Sequence, residues 1–275
     1  MSSISERDEW ILSRTAPELE ILRDEDDLIH LDEAIAFCNY LNGEITAMVA
    51  AQNITVMLRP AMEQCEYKPD DTERIMFFII SYLWQFDDDD DYDKILDLLV
   101  ALQNLPSVPG IPWWRLPLFR EVWDEFYHLN WSLCKEISFF KKVGTLEAKM
   151  YLRGLYPVDS NWAYRAINVI CLQDAELEFV LHEIHPWLDL AGPTLVKNME
   201  PAQVKCFDRA VKGRREKTYS IEATLYEHWE HWKKEFLQVS CDEEFFPRES
   251  RQMAGKCYEI MKGLVVAQPD PPTDT

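Results

Sequence analysis

Five consecutive aspartates, residues 87–91, lie in the stretch "QFDDDDDYD" directly after the apolar "IMFFIISYLW". Asp87, Asp88 and Asp91 have the spacing Asp-Asp-x-x-Asp. At a helix end that spacing groups hard oxygen ligands, the chemistry that holds magnesium against a diphosphate. The competing account is a hydrated corner between helices. There Asp90, Asp91 and Asp93 would enter the first turn of the next helix, where each negative charge is stabilised by about 0.3–1 kcal/mol. A second metal motif of Asn-Asp, then Ser or Thr, then Glu has no match in residues 195–245. The corner is the preferred account.

Histidines supply a second possibility. His182 and His185 in "HEIHPW", and His228 and His231 in "EHWEHW", recur three apart. On a helix that spacing shares one face. Two such faces brought together would offer imidazoles to zinc, with Glu183 or Glu227 as base or outer partner. Neither pair forms His-Glu-x-x-His, and Pro186 disfavours helical geometry at His185. Amphipathic packing beside Trp187, Trp229 and Trp232 explains them more simply.

Tryptophans are a third. Trp113, Trp114, Trp123, Trp131 and Trp162 crowd the middle of the chain. Trp lines pockets and interfaces as well as cores. If a ligand pocket exists, the residues to line it are Trp114, Arg115, Arg120, Glu121, Trp123 and Trp187. Cys134 and His128 are six positions apart and out of helical phase, so a cysteine nucleophile has little support. There is no phosphate loop, Gly-x-Ser-x-Gly or kinase signature.

The elements that would position these residues read as helices. The chain has 275 residues, 47% of them hydrophobic, with 10 Trp, 11 Tyr and 13 Phe but only 8 Gly. Aromatic wealth argues for a packed core rather than disorder. Glycine scarcity argues against a nucleotide-binding α/β fold, which spends glycines on phosphate loops. The net charge of −21 disfavours nucleic acid as a partner. Its one basic run, "KGRREK" at 212–217, reads as a solvated helix end or loop. The longest apolar run is about half of what spans a bilayer, so no membrane is expected. No secretory leader is visible, and seven dispersed cysteines imply reduced thiols in the cytoplasm or nucleus.

Apolar residues recur every three to four positions almost throughout. Leu31, Ala34, Ile35, Cys38, Leu41, Ile45, Met48 and Val49 predict one helical run to Pro60. Helices are expected from about residue 70, over 91–104, from Pro117 onward, within 162–190, over 220–239 and within 248–265. Period-two segments are short. The fold class is all-α, a bundle or helical-pair array of roughly nine to twelve helices. The expected domains are an N-terminal helical segment over 1–30, a main domain over 31–193, C-terminal helices over 194–266 and a disordered tail over 267–275.

Within residues 75–192, Trp114, Leu116, Pro117, Arg120, Glu121 and Trp123 precede a closing Trp187, Leu188, Ala191 and Gly192. This order resembles an all-helical fungal family, the domain of unknown function 3632. The resemblance implies a helical fungal protein, in a family whose members are sometimes encoded beside secondary-metabolite biosynthesis genes. It carries over no catalytic residue. The expected function is a non-catalytic module binding a protein or small molecule, with no cofactor. The alternative is a tailoring enzyme or cyclase of secondary metabolism with a Trp-lined cavity. In that case the acid cluster would resemble that of terpene cyclases and take magnesium, or the histidines zinc.

Overall fold

The computed structural model describes residues 5–16, 28–56, 58, 69–86, 89–107, 111–133, 136–172, 177–211 and 214–269. The chain divides into two compact units, Met1–Leu133 with Leu155–Pro157, and Cys134–Gly154 with Val158–Thr275. Among the described residues it is predominantly helical, with two small sheets of two strands each. No helix among the described residues is long and apolar enough to cross a membrane.

The first unit holds α1 (Glu6–Ser13), β1 (Thr15–Ala16), β2 (Ile29–His30), α2 (Leu31–Leu41), α3 (Ala47–Ile54), α4 (Pro69–Gln85), α5 (Asp89–Gln103) and α6 (Phe119–Leu133). The single run expected over 31–60 is two helices. Gly43, at φ 76°, ends the first, and the Thr46 side chain caps the second by accepting the Val49 N–H. Helix α2 begins with a reciprocal cap. The His30 N–H donates to Glu33 Oε2 at 2.9 Å, and His30 Nδ1 accepts the Asp32 N–H. Glu33 also receives both guanidinium arms of Arg74 on α4, at 2.5 and 3.1 Å, in a buried ion pair. The core between these helices is aromatic. Phe37 meets Phe78 and Tyr82 edge-on, and Trp84 lies 5.3 Å from Trp123. Such pairs add about 0.5–1.5 kcal/mol beyond their buried area.

The second unit holds α7 (Ile137–Leu152), α8 (Ser160–Asn168), α9 (Leu177–Pro186), a π-helical segment (Trp187–Ala191), α10 (Gly192–Asn198), β3 (Val204–Val211), β4 (Arg214–Thr224), α11 (Leu225–Cys241) and α12 (Arg248–Gly263). Helices α7 and α9 pack together, as do α11 and α12. Three expectations fail here. Pro186 does not release His185 from helical geometry, because the π segment widens the spiral directly after the proline. The helical material expected within 162–190 does not stop there, since helix continues through Pro193, whose missing N–H is tolerated in a first turn.

The third is the antiparallel hairpin of β3 and β4, where loop and helix were expected. It pairs Val204 with Thr224 through Ala210 with Thr218, and its register shifts at Val211. Only Phe207 of β3 is buried, so the strand lacks the apolar alternation that announces a half-buried sheet. At its end Thr224 and Glu227 form a second reciprocal cap that starts α11.

Candidate functional site: an aromatic and guanidinium shelf

The segment "WWRLPLF", residues 113–119, joins α5 to α6 through a short 3-10 turn at Trp113–Arg115. Trp113, Leu116 and Phe119 are buried and anchor it to the first unit's core. Two leucines flanking Pro117 take the left-handed conformation, Leu116 at φ 48° and Leu118 at φ 61°. A side chain bearing a Cβ costs roughly 1–2 kcal/mol there. Leu116 departs further from habit, since a residue before proline favours extended backbone. The helix therefore begins at Phe119, two residues after the proline expected to open it.

Ahead of these leucines, the 3-10 turn, with three residues per revolution, places Trp113 inward and Trp114 and Arg115 outward. Trp114 is 43% exposed, although its neighbour Trp113 is sealed. The Arg115 guanidinium lies 4.5 Å from the Trp114 ring centroid. Tyr156, 52% exposed, meets the same indole edge-on at 4.8 Å. The Tyr156 backbone is fixed from α5, because its N–H donates to Gln103 Oε1 at 2.7 Å. Stacking of this kind holds an arginine by about 0.5–1 kcal/mol at an exposed position and leaves its in-plane donors available.

The other pocket candidates separate. Arg120 and Glu121 are exposed at the start of α6, and Arg120 Nε lies 3.9 Å from Asp124 Oδ2. Burial raises the Asp124 carboxyl above its ordinary range, against the pull of Arg120. Trp123 is 1% exposed, in the first unit's core beside Phe119 and Trp84. Trp187 is fully buried in the second unit, its Nε1–H donating to Glu147 Oε2 at 3.0 Å. Tyr156 was not among the expected residues. It lies far along the chain from Trp114, and only the Pro157 after it marked a turn.

Of the metal candidates, Asp87 and Asp88 lie outside the described residues. Asp91 sits in the first turn of α5, as the corner account requires, but turns inward and is 7% exposed. It accepts the Tyr82 hydroxyl and lies 3.6 Å from both Arg7 Nη1 and Lys94 Nζ. Its negative charge is thus matched within the fold.

His182 and His185 are half-buried on α9. Burial lowers both imidazoles below their ordinary range, and the cations Lys141 and Lys256 add to the effect. His228 is fully buried on α11. Its Nε2 lies 3.1 Å from the Lys205 carbonyl and its Nδ1 3.5 Å from Arg209 Nη2, so both ring nitrogens face protein partners. His231 Nε2 lies 3.7 Å from Glu235 Oε1. Among the described residues, no three His, Cys, Asp or Glu side chains gather as a metal ligand set. No family model, curated protein or solved structure matches this chain.

Proposed function

We propose that this protein is a non-catalytic binding module, and that the shelf of Trp114, Arg115 and Tyr156 is its contact surface. The observation carrying this reading is the exposed Trp114, stacked by Arg115 and met edge-on by Tyr156, on a segment that holds two left-handed leucines. Strained backbone persists where the surrounding structure overdetermines it, and it gathers at functional sites. Trp, Tyr and Arg are also the residue types that dominate binding energy at interfaces. The partner this surface fits is a protein presenting an apolar side chain to the indole and tyrosine rings, with a carboxylate beside it for Arg115.

The fungal resemblance supports placing the partner among enzymes of secondary metabolism, in the cytoplasm or nucleus. The test is cross-linked capture from the native cell with wild type, Trp114→Ala, Arg115→Glu and the distant surface variant Lys262→Ala. A partner retained by wild type and Lys262→Ala but lost by both shelf variants is expected. Equal capture by all four proteins rejects the reading. Gene deletion with metabolite profiling then separates a biosynthetic partner, which changes a compound, from one outside metabolism. Wild-type profiles restored by a Trp114→Ala gene would favour the alternative of an enzyme whose chemistry lies elsewhere.

A further inference from the structure

Residues 204–224 carry six Lys and Arg against three Asp and Glu, in a chain of net charge −21. The hairpin they form is docked on α11 through its first strand. The Lys205 carbonyl lies 3.1 Å from His228 Nε2, and Asn168 Nδ2–H donates to the Asp208 carbonyl at 2.8 Å. Asn168 is itself fixed by Trp232, whose Nε1–H reaches its Oδ1 at 2.9 Å. Phe207 closes edge-on against His228 and Trp232.

Arg209 stands out within this joint. It is half-buried, and its Nε is sealed from water with no hydrogen-bond partner. Its Nη2 lies 3.5 Å from an imidazole nitrogen, His228 Nδ1. No carboxylate among the described residues lies within ion-pair distance of its guanidinium. A half-buried guanidinium with no carboxylate in ion-pair range leaves unmatched a planar fork that suits carboxylate or phosphate oxygens. Across the strand, Arg209 is paired with the exposed Tyr219.

We propose that Arg209, flanked by His228 and His231, binds a small oxyanion, a phosphate or carboxylate group. Around His228 stand Arg209, the Lys205 carbonyl and Glu227. Around His231 stand Arg209, Lys234 and His228, and its Nε2 lies 3.7 Å from Glu235 Oε1. Burial and then these cations hold His231 down to about 4, and burial likewise lowers His228. An oxyanion on the Arg209 fork offsets the cationic field. Both imidazoles then take protons more readily, so anion binding and proton uptake reinforce each other.

The probe is inorganic phosphate, with acetate as the carboxylate arm and chloride at equal ionic strength as the reference. Thermal melting of the full chain is followed at about pH 6 and about pH 8, either side of ordinary imidazole titration. His228 and His231 ring-proton titrations are followed by NMR on the wild-type protein. Phosphate is expected to raise the melting temperature beyond chloride, more at the lower pH, and to raise both histidine pKa values. Arg209→Gln should weaken phosphate by about tenfold or more, the loss of a charge-assisted contact. Acetate acting as strongly as phosphate assigns the site to carboxylates, and a weaker acetate effect assigns it to phosphates. Histidine titrations unmoved by either anion overturn the proposal on wild type alone, whatever the fate of the variant. So does a phosphate effect that survives Arg209→Gln in full.

Discussion

Gly144 on α7 faces the backbone of Glu183 on α9 so closely that a Cβ at position 144 would lie 2.0 Å from the Glu183 carbonyl oxygen and 2.7 Å from its carbon. Backbone cannot swing aside as a flexible side chain can. The helix pair therefore depends on the missing methyl. Gly144→Ala gains up to about 1 kcal/mol of helix propensity but forces the two helices apart, so a net loss of about 1–3 kcal/mol is expected. Gly255 on α12 supplies the matched control, since its Cβ would meet only Ser240 Cβ at an ordinary 3.7 Å. Gly255→Ala should stabilise. Urea midpoints of the two variants moving in the same direction would contradict this account.

Glu33 serves two structures at once, the cap of α2 and the buried pair with Arg74. Removing one partner of such a pair leaves the other charge buried and uncompensated, at a cost of about 3–5 kcal/mol. Glu33→Met should fall in that range. The double variant Glu33→Met, Arg74→Met should be less destabilised than Glu33→Met alone, because no charge remains to be buried. A double variant that is simply the sum of both losses would show that the two side chains do not interact.

The two candidate tryptophans of the first unit should respond oppositely. Trp123→Ala empties a core position shared with Trp84 and Phe119, for a loss of about 3–5 kcal/mol. Trp114→Ala removes only exposed contacts with Arg115 and Tyr156, so stability should change by no more than about 1 kcal/mol. Similar melting temperatures for the two variants would remove the distinction between core and shelf.

The helical class was legible because apolar residues repeat with the helix period, and that signal survives wherever a helix buries one face. Trp113 and Trp114 show where it stops. The two are identical in type and adjacent, yet one is sealed and the other outward, because a 3-10 turn that no local pattern announces sends successive side chains about 120° apart. The hairpin escaped for a related reason. Arg209, two positions after the buried Phe207, turns its guanidinium to His228 of α11, so the docked face carries charge where alternation would predict an apolar residue. Asn168 reached the joint through contacts forty and sixty-four positions away, which no local pattern encodes.

Acid should weaken the second unit through His231. Its imidazole is held at about 4 in the folded chain, against an ordinary 6.5, first by burial and then by Arg209, Lys234 and His228. The folded state therefore prefers the neutral ring, and the unfolded chain binds the extra proton. That contribution is complete above about pH 6.5 and is lost as pH falls through the window down to about 4. His228, also lowered by burial, acts in the same direction. Denaturant midpoints should fall across this window in wild type. In His231→Gln the fall should be shallower, because the substituted side chain takes up no proton in either state. An identical pH slope in wild type and His231→Gln, or a wild-type His231 ring titrating at its ordinary value, would remove histidine burial as the source of acid sensitivity.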